Sequence, residues 1–277
     1  MTRTMTRRHL LQLSVAIAAT PLAAAPTVRA QGRRVAEEVR RVPAREANQA
    51  VAADRTHLYA IDNHAIGKYD KQTGQRVGGW QCERGKPLIH LDNGVVHDGV
   101  LWCAHSNYPG VPMTSSIETW DAASLEHSST YSFGIYEGSA TWVDLRDGLR
   151  YVTFAHYRGS SDEPTRDPRW TTVVSFDAEW RRRQAWVYPD DVVEKLGNYS
   201  MSGGVFGPDG RLHCTGHDNA EIYVLTFPTG GSTLVLDEIV PMPMHGQGIA
   251  LDPDDPTLLY GIDRPRREIV VARIRPV

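Results

Sequence analysis

The chain has 277 residues and a formal net charge of −3 at pH 7. Residues 1–30 contain four arginines and no acidic residue, so the remaining 247 residues carry a formal charge of −7. An acidic surface is a poor partner for polyanions, which argues against a nucleic-acid-binding protein. The length is ample for one hydrophobic core.

The N-terminus predicts an export signal. Arg7 and Arg8 precede a short apolar run at residues 9–25, and VRA at 28–30 supplies the small residues of a cleavage site. This pattern is typical of a twin-arginine signal peptide, although an ordinary signal peptide that happens to carry two arginines looks the same. We expect residues 1–30 to be removed on export, and residues 31–277 to form a single domain in the periplasm or outside the cell. No second run of 18 apolar residues occurs, so we expect no membrane segment in the mature protein. We also expect the mature protein to be a monomer.

A repeat of about 45 residues organises the rest of the chain. A polar residue followed by a small one recurs at spacings of 44, 46, 63 and 45 residues, at Gln49, Asn93, Ser139, Ser202 and Gln247. Three of these landmarks are followed by an Asp-Gly pair typical of a hairpin turn, at residues 98–99, 147–148 and 209–210. Short strand-like runs come next, and helical periodicity is nearly absent. Four strands per repeat predict an all-β chain folded as a five-bladed β-propeller.

The last repeat is one strand short. After Gln247 only three strand-like runs remain, at 247–251, 257–263 and 268–274, whereas residues 36–44 offer an unassigned strand near the start of the chain. Pairing the two would remove an exposed sheet edge. We therefore predict that an N-terminal strand closes the last blade. An open sandwich is the alternative, but it gives no reason for the repeat.

The longest repeat contains two further features. Residues 158–170 form a polar loop, and residues 189–197 begin with acidic residues and end in glycine, which predicts one short helix.

Several of the predicted second strands end in histidine. The innermost strands of a propeller all start at one face, and the loops between second and third strands emerge at the same face. Side chains from these positions should therefore meet at the mouth of the central channel. The predicted catalytic residues are His105, His156, His217 and Tyr157; the predicted substrate-binding residues are Asn93, Asn107, Tyr108, Arg158, Asp218, Gln247, Asp263 and Arg264.

Two chemistries fit three neighbouring histidines. If His105, His156 and His217 converge, they can bind one divalent transition metal ion, since neutral imidazole is a good ligand for zinc, copper and iron. Alternatively they act as general acids and bases, because the ordinary histidine pKa suits proton transfer at neutral pH. The sequence contains no GxSxG, phosphate-loop, HExxH or CxxC motif.

Four segments resemble a known family: AHSNYPGVPMTSSIETWD, TWVD followed by FAHY, GPDGRLHCTGHD, and GQGIALDP followed by LYGIDR. They are similar to secreted bacterial propeller proteins commonly labelled cycloisomerase-like, by analogy with propeller lactonases and muconate cyclases. The resemblance covers nearly the whole chain after the signal segment. It implies that the shared top-face positions are His105, Asn107, Tyr108, His156, Tyr157, His217, Asp218, Gln247 and Asp263. The seven blades of propeller muconate cyclases differ from the five expected here, and the fold does not fix the reaction.

These observations lead to a leading hypothesis and a rival. The first is an exported isomerase or lyase that moves a proton on a small acidic, lactone or sugar-derived substrate. In it, His105 or His156 is the base, His217 or Tyr157 the acid, and an arginine, Arg158 or Arg264, holds the anion. The rival is a non-catalytic propeller, a receptor or scaffold that binds a small ligand with the same face.

Overall fold

A computed structural model describes residues 33–135, 137–158 and 166–277. The predicted signal peptide, residues 1–30, lies outside this part of the chain, as do residues 159–165 of the long polar loop. The described residues form five four-stranded antiparallel sheets arranged in a ring, which is a five-bladed β-propeller. The predicted fold class is confirmed.

The first four blades each use consecutive strands. Strand β1 (Arg34–Pro43) precedes them and belongs to the last blade. Blade 1 contains β2 (Ala50–Ala53), β3 (His57–Asp62), β4 (Ala65–Asp70) and β5 (Arg76–Gln81). Blade 2 contains β6 (Leu91–His97), β7 (Val100–Ser106), β8 (Ser115–Asp121) and β9 (His127–Gly134).

Blades 3 and 4 follow the same plan. Blade 3 contains β10 (Ser139–Arg146), β11 (Leu149–Ala155), β12 (Thr172–Phe176) and β13 (Arg182–Val187). Blade 4 contains β14 (Gly203–Phe206), β15 (Leu212–Thr215), β16 (Glu221–Thr226) and β17 (Val235–Pro241). The predicted helix is α1 (Asp190–Leu196), which lies between these blades in the chain, and a single 3₁₀ turn covers Pro168–Trp170.

The Asp-Gly pairs make the turns that the sequence predicts. Asp98 and Gly99 have φ of 48° and 77°, and Asp147 and Gly148 have φ of 51° and 75°. Positive φ at both central residues is the mark of a type I′ hairpin, whose twist matches that of the flanking strands. These two turns therefore fix the register between the first and second strands of blades 2 and 3.

The last blade joins the two ends of the described chain. It contains β18 (Ala250–Leu251), β19 (Leu258–Asp263), β20 (Glu268–Pro276) and, as its outermost strand, β1. The β1–β20 pairing is antiparallel, from Arg34 opposite Pro276 to Pro43 opposite Glu268. The N-terminal strand that the sequence predicts to close the ring is confirmed, two residues earlier at its start than expected.

The hydrophobic core is divided among the five junctions between blades. One buried cluster lies between each pair of neighbours, for example Tyr59, Leu101 and Trp120 between blades 1 and 2, and Trp142, Leu212 and Tyr223 between blades 3 and 4. The innermost strands β2, β6, β10, β14 and β18 contact one another in a closed circle. Their N-terminal ends therefore meet around one axis. No helix in the described ranges is long and apolar enough to cross a membrane.

Deleting β1 should destabilise the whole ring. A chain that begins at Ala44 loses the buried side chain of Val42, worth about 2 kcal/mol, and exposes the edge of β20. At about 2–4 °C per kcal/mol for a chain of this size, the melting temperature should fall by at least about 5 °C, with aggregation. Thermal unfolding and size-exclusion chromatography measure both, with residues 33–277 as the control.

Adding a synthetic peptide of residues 33–43 to the truncated chain should restore part of the lost melting temperature, because the peptide can pair with β20. A truncated chain that stays monomeric with an unchanged melting temperature would contradict this account of ring closure.

Candidate functional site

A small polar pocket of about 60 Å³ lies where the innermost strands begin. Gln49, Asp92, Ser202 and Gln247 reach it from the start of the innermost strands of four blades. The remaining lining residues are His90, Tyr108, Tyr157, Tyr199, His217 and Arg264. Tyr108, Tyr157, His217 and Arg264 follow the second strands of their blades, so both sets meet at one face, as the repeat predicts.

Asp92 is a buried acid that reaches the pocket through a β-bulge. In β6, Leu91 pairs with His105 and Gly94 with Cys103, so Asp92 and Asn93 together lie opposite one residue of β7. Such a bulge re-aims side chains at the edge of a sheet. Asp92 is 4% exposed, and one carboxylate oxygen accepts a hydrogen bond from the Asn93 amide at 3.0 Å. Burial raises the pKa of Asp92 well above its usual range, although this amide and Arg264 oppose the rise. Burial at this position therefore favours the protonated form of Asp92.

His90 lies beside this acid and is also neutral. Its Nε2 is 3.9 Å from Oδ2 of Asp92, and its Nδ1 is 2.9 Å from Oδ1 of Asn63. Burial lowers the pKa of His90 to about 4, and the positive charge of Arg264 and the neighbouring His105 add to this effect. Burial thus favours the uncharged forms of both the acid and the imidazole.

Arg264 supplies the cation of the pocket. Its Nε donates to Oδ1 of Asn48 at 3.0 Å and its Nη1 lies 3.3 Å from Nε2 of His217. Asn48 Oδ1 is an uncharged acceptor, and no carboxylate of the described residues forms an ion pair with this guanidinium. A guanidinium without a carboxylate partner, facing a cavity, is suited to bind an anion.

His217 forms a dyad with Asp218. Its Nδ1 lies 2.5 Å from Oδ1 of Asp218, and its ring stacks on Tyr199 with 4.2 Å between the centroids. Because Arg264 can only donate, His217 Nε2 accepts, and the proton of the neutral ring sits on Nδ1. This is the tautomer of a general base whose second nitrogen is held by a carboxylate.

Two tyrosines form one wall. The Tyr157 hydroxyl donates to Oγ of Ser139 at 3.1 Å, and its ring packs edge-on against Tyr108, which in turn contacts His90. Burial raises the pKa of Tyr157 above its usual value, so the phenol keeps its proton. The wall offers aromatic faces to a ligand.

The pocket opens into a larger depression of about 440 Å³. Both spaces are lined by His217, Gln247 and Arg264. Other residues that line the depression include Asp218, His245 and Asp263. Gln247 has φ of 131°, a strained conformation for any residue except glycine. Strain of this kind is concentrated at functional sites, where the surrounding structure maintains it.

The structure brings together only two of the four predicted catalytic residues, His217 and Tyr157. The His105 ring is buried within blade 2, where Nδ1 lies 2.9 Å from Oγ of Ser116 and Nε2 accepts the Ile89 amide at 3.3 Å. His156 is also buried, and its ring packs so closely on Gly138 that a Cβ there would lie 2.8 Å from Cε1. Neither histidine lines the pocket.

The three histidines that the sequence predicts as possible metal ligands are not grouped together in the described residues. In the described part of the chain, no group of three or more His, Cys, Asp or Glu side chains lies close enough to hold a metal ion. His105 is buried in β7 and His156 is buried against Gly138 just after β11, whereas His217 lies in the loop after β15.

The predicted substrate-binding residues divide in the same way. Tyr108, Gln247 and Arg264 line the inner pocket, while Asp218 and Asp263 line the depression, where Arg41 and Arg266 form ion pairs with Asp263.

Three others lie elsewhere. Asn93 donates to the Gly204 carbonyl at 3.2 Å, and Asn107 braces its own loop by donating to the Pro112 carbonyl at 3.0 Å. Arg158 forms an ion pair with Asp167 beside a separate depression.

Sequence reasoning missed His90, Asp92 and Tyr199. His90 and Asp92 stand two residues apart just before the Asn93 landmark, a spacing that puts strand side chains on one face. This spacing could have indicated that both side chains belong to the site. Tyr199 gave none, because α1 and the turn after it carry this residue to the pocket.

The comparisons with known proteins bear on the fold. No protein-family model and no curated protein matches this chain. Among solved structures it is similar to a luciferin-regenerating enzyme, with 13% identity, a TM-score of 0.54, and coverage of 87% of this chain and 95% of the other. It is also similar to the PQQ-bound form of an aldose sugar dehydrogenase from Streptomyces coelicolor, with 9% identity, a TM-score of 0.52, and coverage of 88% and 99%. Likenesses at this level support membership of the β-propeller class and do not extend to the cycloisomerase-like label.

Replacing Asp92 with asparagine should stabilise the protein at neutral pH. The folded-state pKa of Asp92 lies above the unfolded value of about 3.9. Raising the pH above that value therefore lowers the free energy of unfolding of the wild type progressively, because the unfolded acid ionises while the buried one does not. The unfolding free energy of D92N should therefore exceed that of the wild type by an amount that grows by about 1.4 kcal/mol per pH unit above pH 4, until the folded acid ionises.

Chemical denaturation at several pH values measures this difference. Asp98→Asn, at an exposed hairpin turn, is the matched control and should show no such trend. A pH-independent difference for D92N would show that Asp92 is ionised in the folded protein.

Proposed function

We propose that this protein is an exported enzyme, an isomerase or lyase that moves a proton on a small carboxylate-bearing or lactone-derived substrate. One observation carries the proposal. One pocket of about 60 Å³ is lined by a guanidinium that has no carboxylate partner among the described residues, a buried acid whose pKa is raised, and a carboxylate-bound imidazole. Perturbed acids and bases grouped in a cleft are the usual sign of proton-transfer chemistry.

In this proposal the carboxylate of the substrate binds to Arg264. When the substrate carboxylate accepts hydrogen bonds from the guanidinium, the contact between Nη1 and Nε2 of His217 is exchanged for one to the substrate. Nε2 is thereby freed as a base beside the bound acid. The positive charge of Arg264 also stabilises the negative charge that develops when a proton leaves the adjacent carbon.

Proton removal and proton delivery then use different groups. His217 Nε2 takes the proton from the carbon next to the carboxylate, and Asp218 stabilises the imidazolium that forms. Asp92 donates its proton to the carbon or oxygen at which the electron pair arrives. Return of the proton to carbon gives an isomerase, and protonation of a departing oxygen gives a lyase. Arg264 keeps the anion-binding role of the sequence-based hypothesis, whereas His217 changes from acid to base in place of His105 or His156, and Asp92 becomes the acid.

Pocket size limits the substrate. The inner pocket accommodates a carboxylate and the atoms next to it, and anything larger must extend into the depression of about 440 Å³ that shares Arg264, Gln247 and His217 with it. This division favours an acid with one small reacting end. Export through the twin-arginine route is part of the same proposal and rests on Arg7 and Arg8.

A screen of small carboxylic acids and lactones tests the proposal, with thermal shift and product formation both measured on the purified protein. For any acid that is converted, Arg264→Gln should raise KM about 10- to 100-fold, because it removes a charged hydrogen bond. Asp92→Asn should lower kcat about 10²- to 10⁴-fold, since it removes a proton donor without changing its shape. Arg267→Gln is the control, because this neighbouring guanidinium pairs with Asp62 and lines neither the pocket nor the depression.

The same screen separates the enzyme from the rival binding protein. Acids that shift the melting temperature through Arg264 without forming product would favour a receptor. Turnover that is unchanged in both R264Q and D92N would contradict the proposed site.

A further inference from the structure

We propose that His90 and Asp92 form a subsite for a hydroxyl group of the substrate, with Asn63 as the residue that positions His90 for this role. The subsite deepens the function proposed above, because it assigns the substrate to the hydroxylated carboxylic acids. It is carried by the hydrogen bonds around the His90 ring, which are independent of the anion site at Arg264.

These hydrogen bonds fix which nitrogen of His90 carries the proton. Oδ1 of Asn63 accepts from Nε2 of Gln49 at 2.6 Å and faces Nδ1 of His90 at 2.9 Å. An amide oxygen only accepts, so Nδ1 must donate. A neutral imidazole has one ring proton, and the proton of His90 is therefore on Nδ1. Nε2, which lies on the side of Asp92, has a free lone pair.

Asn63 is itself held in place between two blades. Its backbone amide donates to Oδ1 of Asp62 at 2.7 Å, and its carbonyl accepts the Leu91 amide at 2.7 Å. The second bond ties the turn after β3 to the residue that follows His90. The side-chain amide and the imidazole are consequently positioned by the same junction between blades 1 and 2.

The gap between His90 and Asp92 selects a hydroxyl group. Nε2 and Oδ2 are 3.9 Å apart, too far for a hydrogen bond to each other. An oxygen atom about 2.8 Å from both would complete a triangle, which is ordinary hydrogen-bond geometry. That oxygen would donate to Nε2 and accept from the protonated acid. A hydroxyl does both, whereas a carbonyl or ether cannot donate and an ammonium cannot accept.

The arrangement gives a balanced elimination. His217 takes the proton from the carbon next to the carboxylate, the electron pair of that C–H bond forms a C=C bond, and the C–O bond to the hydroxyl breaks. The proton of Asp92 goes to the departing oxygen, which leaves as water. His90 accepts a hydrogen bond from the hydroxyl group and thereby orients it, so His90 is a positioning residue in this step.

The first test is the tautomer of His90. Imidazole nitrogen NMR of the full chain at pH 7 should show a protonated Nδ1 and a bare Nε2 for His90. Asn63→Leu, which removes the acceptor, should give a mixture of tautomers. Asn63→Asp, which keeps the oxygen and adds a charge, should retain the tautomer and raise the pKa of His90. His97, exposed on a hairpin, serves as the internal control. A proton on Nε2 in the wild type would overturn the subsite.

The second test uses matched acids: 2-hydroxypropanoate, 3-hydroxypropanoate and propanoate, with binding followed by calorimetry. At least one hydroxy acid should bind about tenfold more tightly than propanoate, and His90→Phe should abolish this difference between the two acids. Equal binding of all three would overturn the hydroxyl subsite and leave the anion site standing. Binding of none would contradict the anion site as well, and thus the proposed function.

Discussion

Closure of the ring by β1 and β20 is the interaction on which the site depends. The five innermost strands contact one another around the axis, and each blade packs against its two neighbours. Pairing the N-terminal strand with the last blade joins blades 5 and 1 through a buried cluster that includes Val42, Leu58 and Tyr260. Because the pocket is lined by residues from all five blades, its shape follows directly from this closure.

Burial at the axis then sets the chemistry of the pocket. Removing an acid and an imidazole from water favours their uncharged forms, so burial raises the pKa of Asp92 and lowers the pKa of His90. Arg264 remains as the cation, held by hydrogen-bonding contacts with Asn48 and His217. Natural proteins commonly accept a loss of stability of this kind where it serves function. The buried acid at Asp92 and the strained backbone at Gln247 are two such features.

Polar contacts from the loops complete the site. Asp218 orients His217, Asn63 orients His90, and Asn48 holds Arg264, so each proton-transfer or anion-binding group has a neighbour that fixes its direction. Asp218 is adjacent to His217 in the sequence, whereas Asn63 is 27 residues from His90 and Asn48 is 216 residues from Arg264. The large depression beside the pocket offers room for the rest of a substrate without disturbing this arrangement.

The sequence by itself determined the architecture. The 45-residue repeat, the Asp-Gly turns and the unassigned strand near residues 36–44 depend on local conformation and alternation, and they predicted five blades, their closure and the face on which the site lies. Only the tertiary structure decided which side chains reach the pocket. A bulge turns Asp92 towards the axis, while the regular pairing of β7 keeps His105 inside its blade. A shift of one residue reverses the direction of a strand side chain, and bulges depend on the partner strand, so a repeat in the sequence could not specify them.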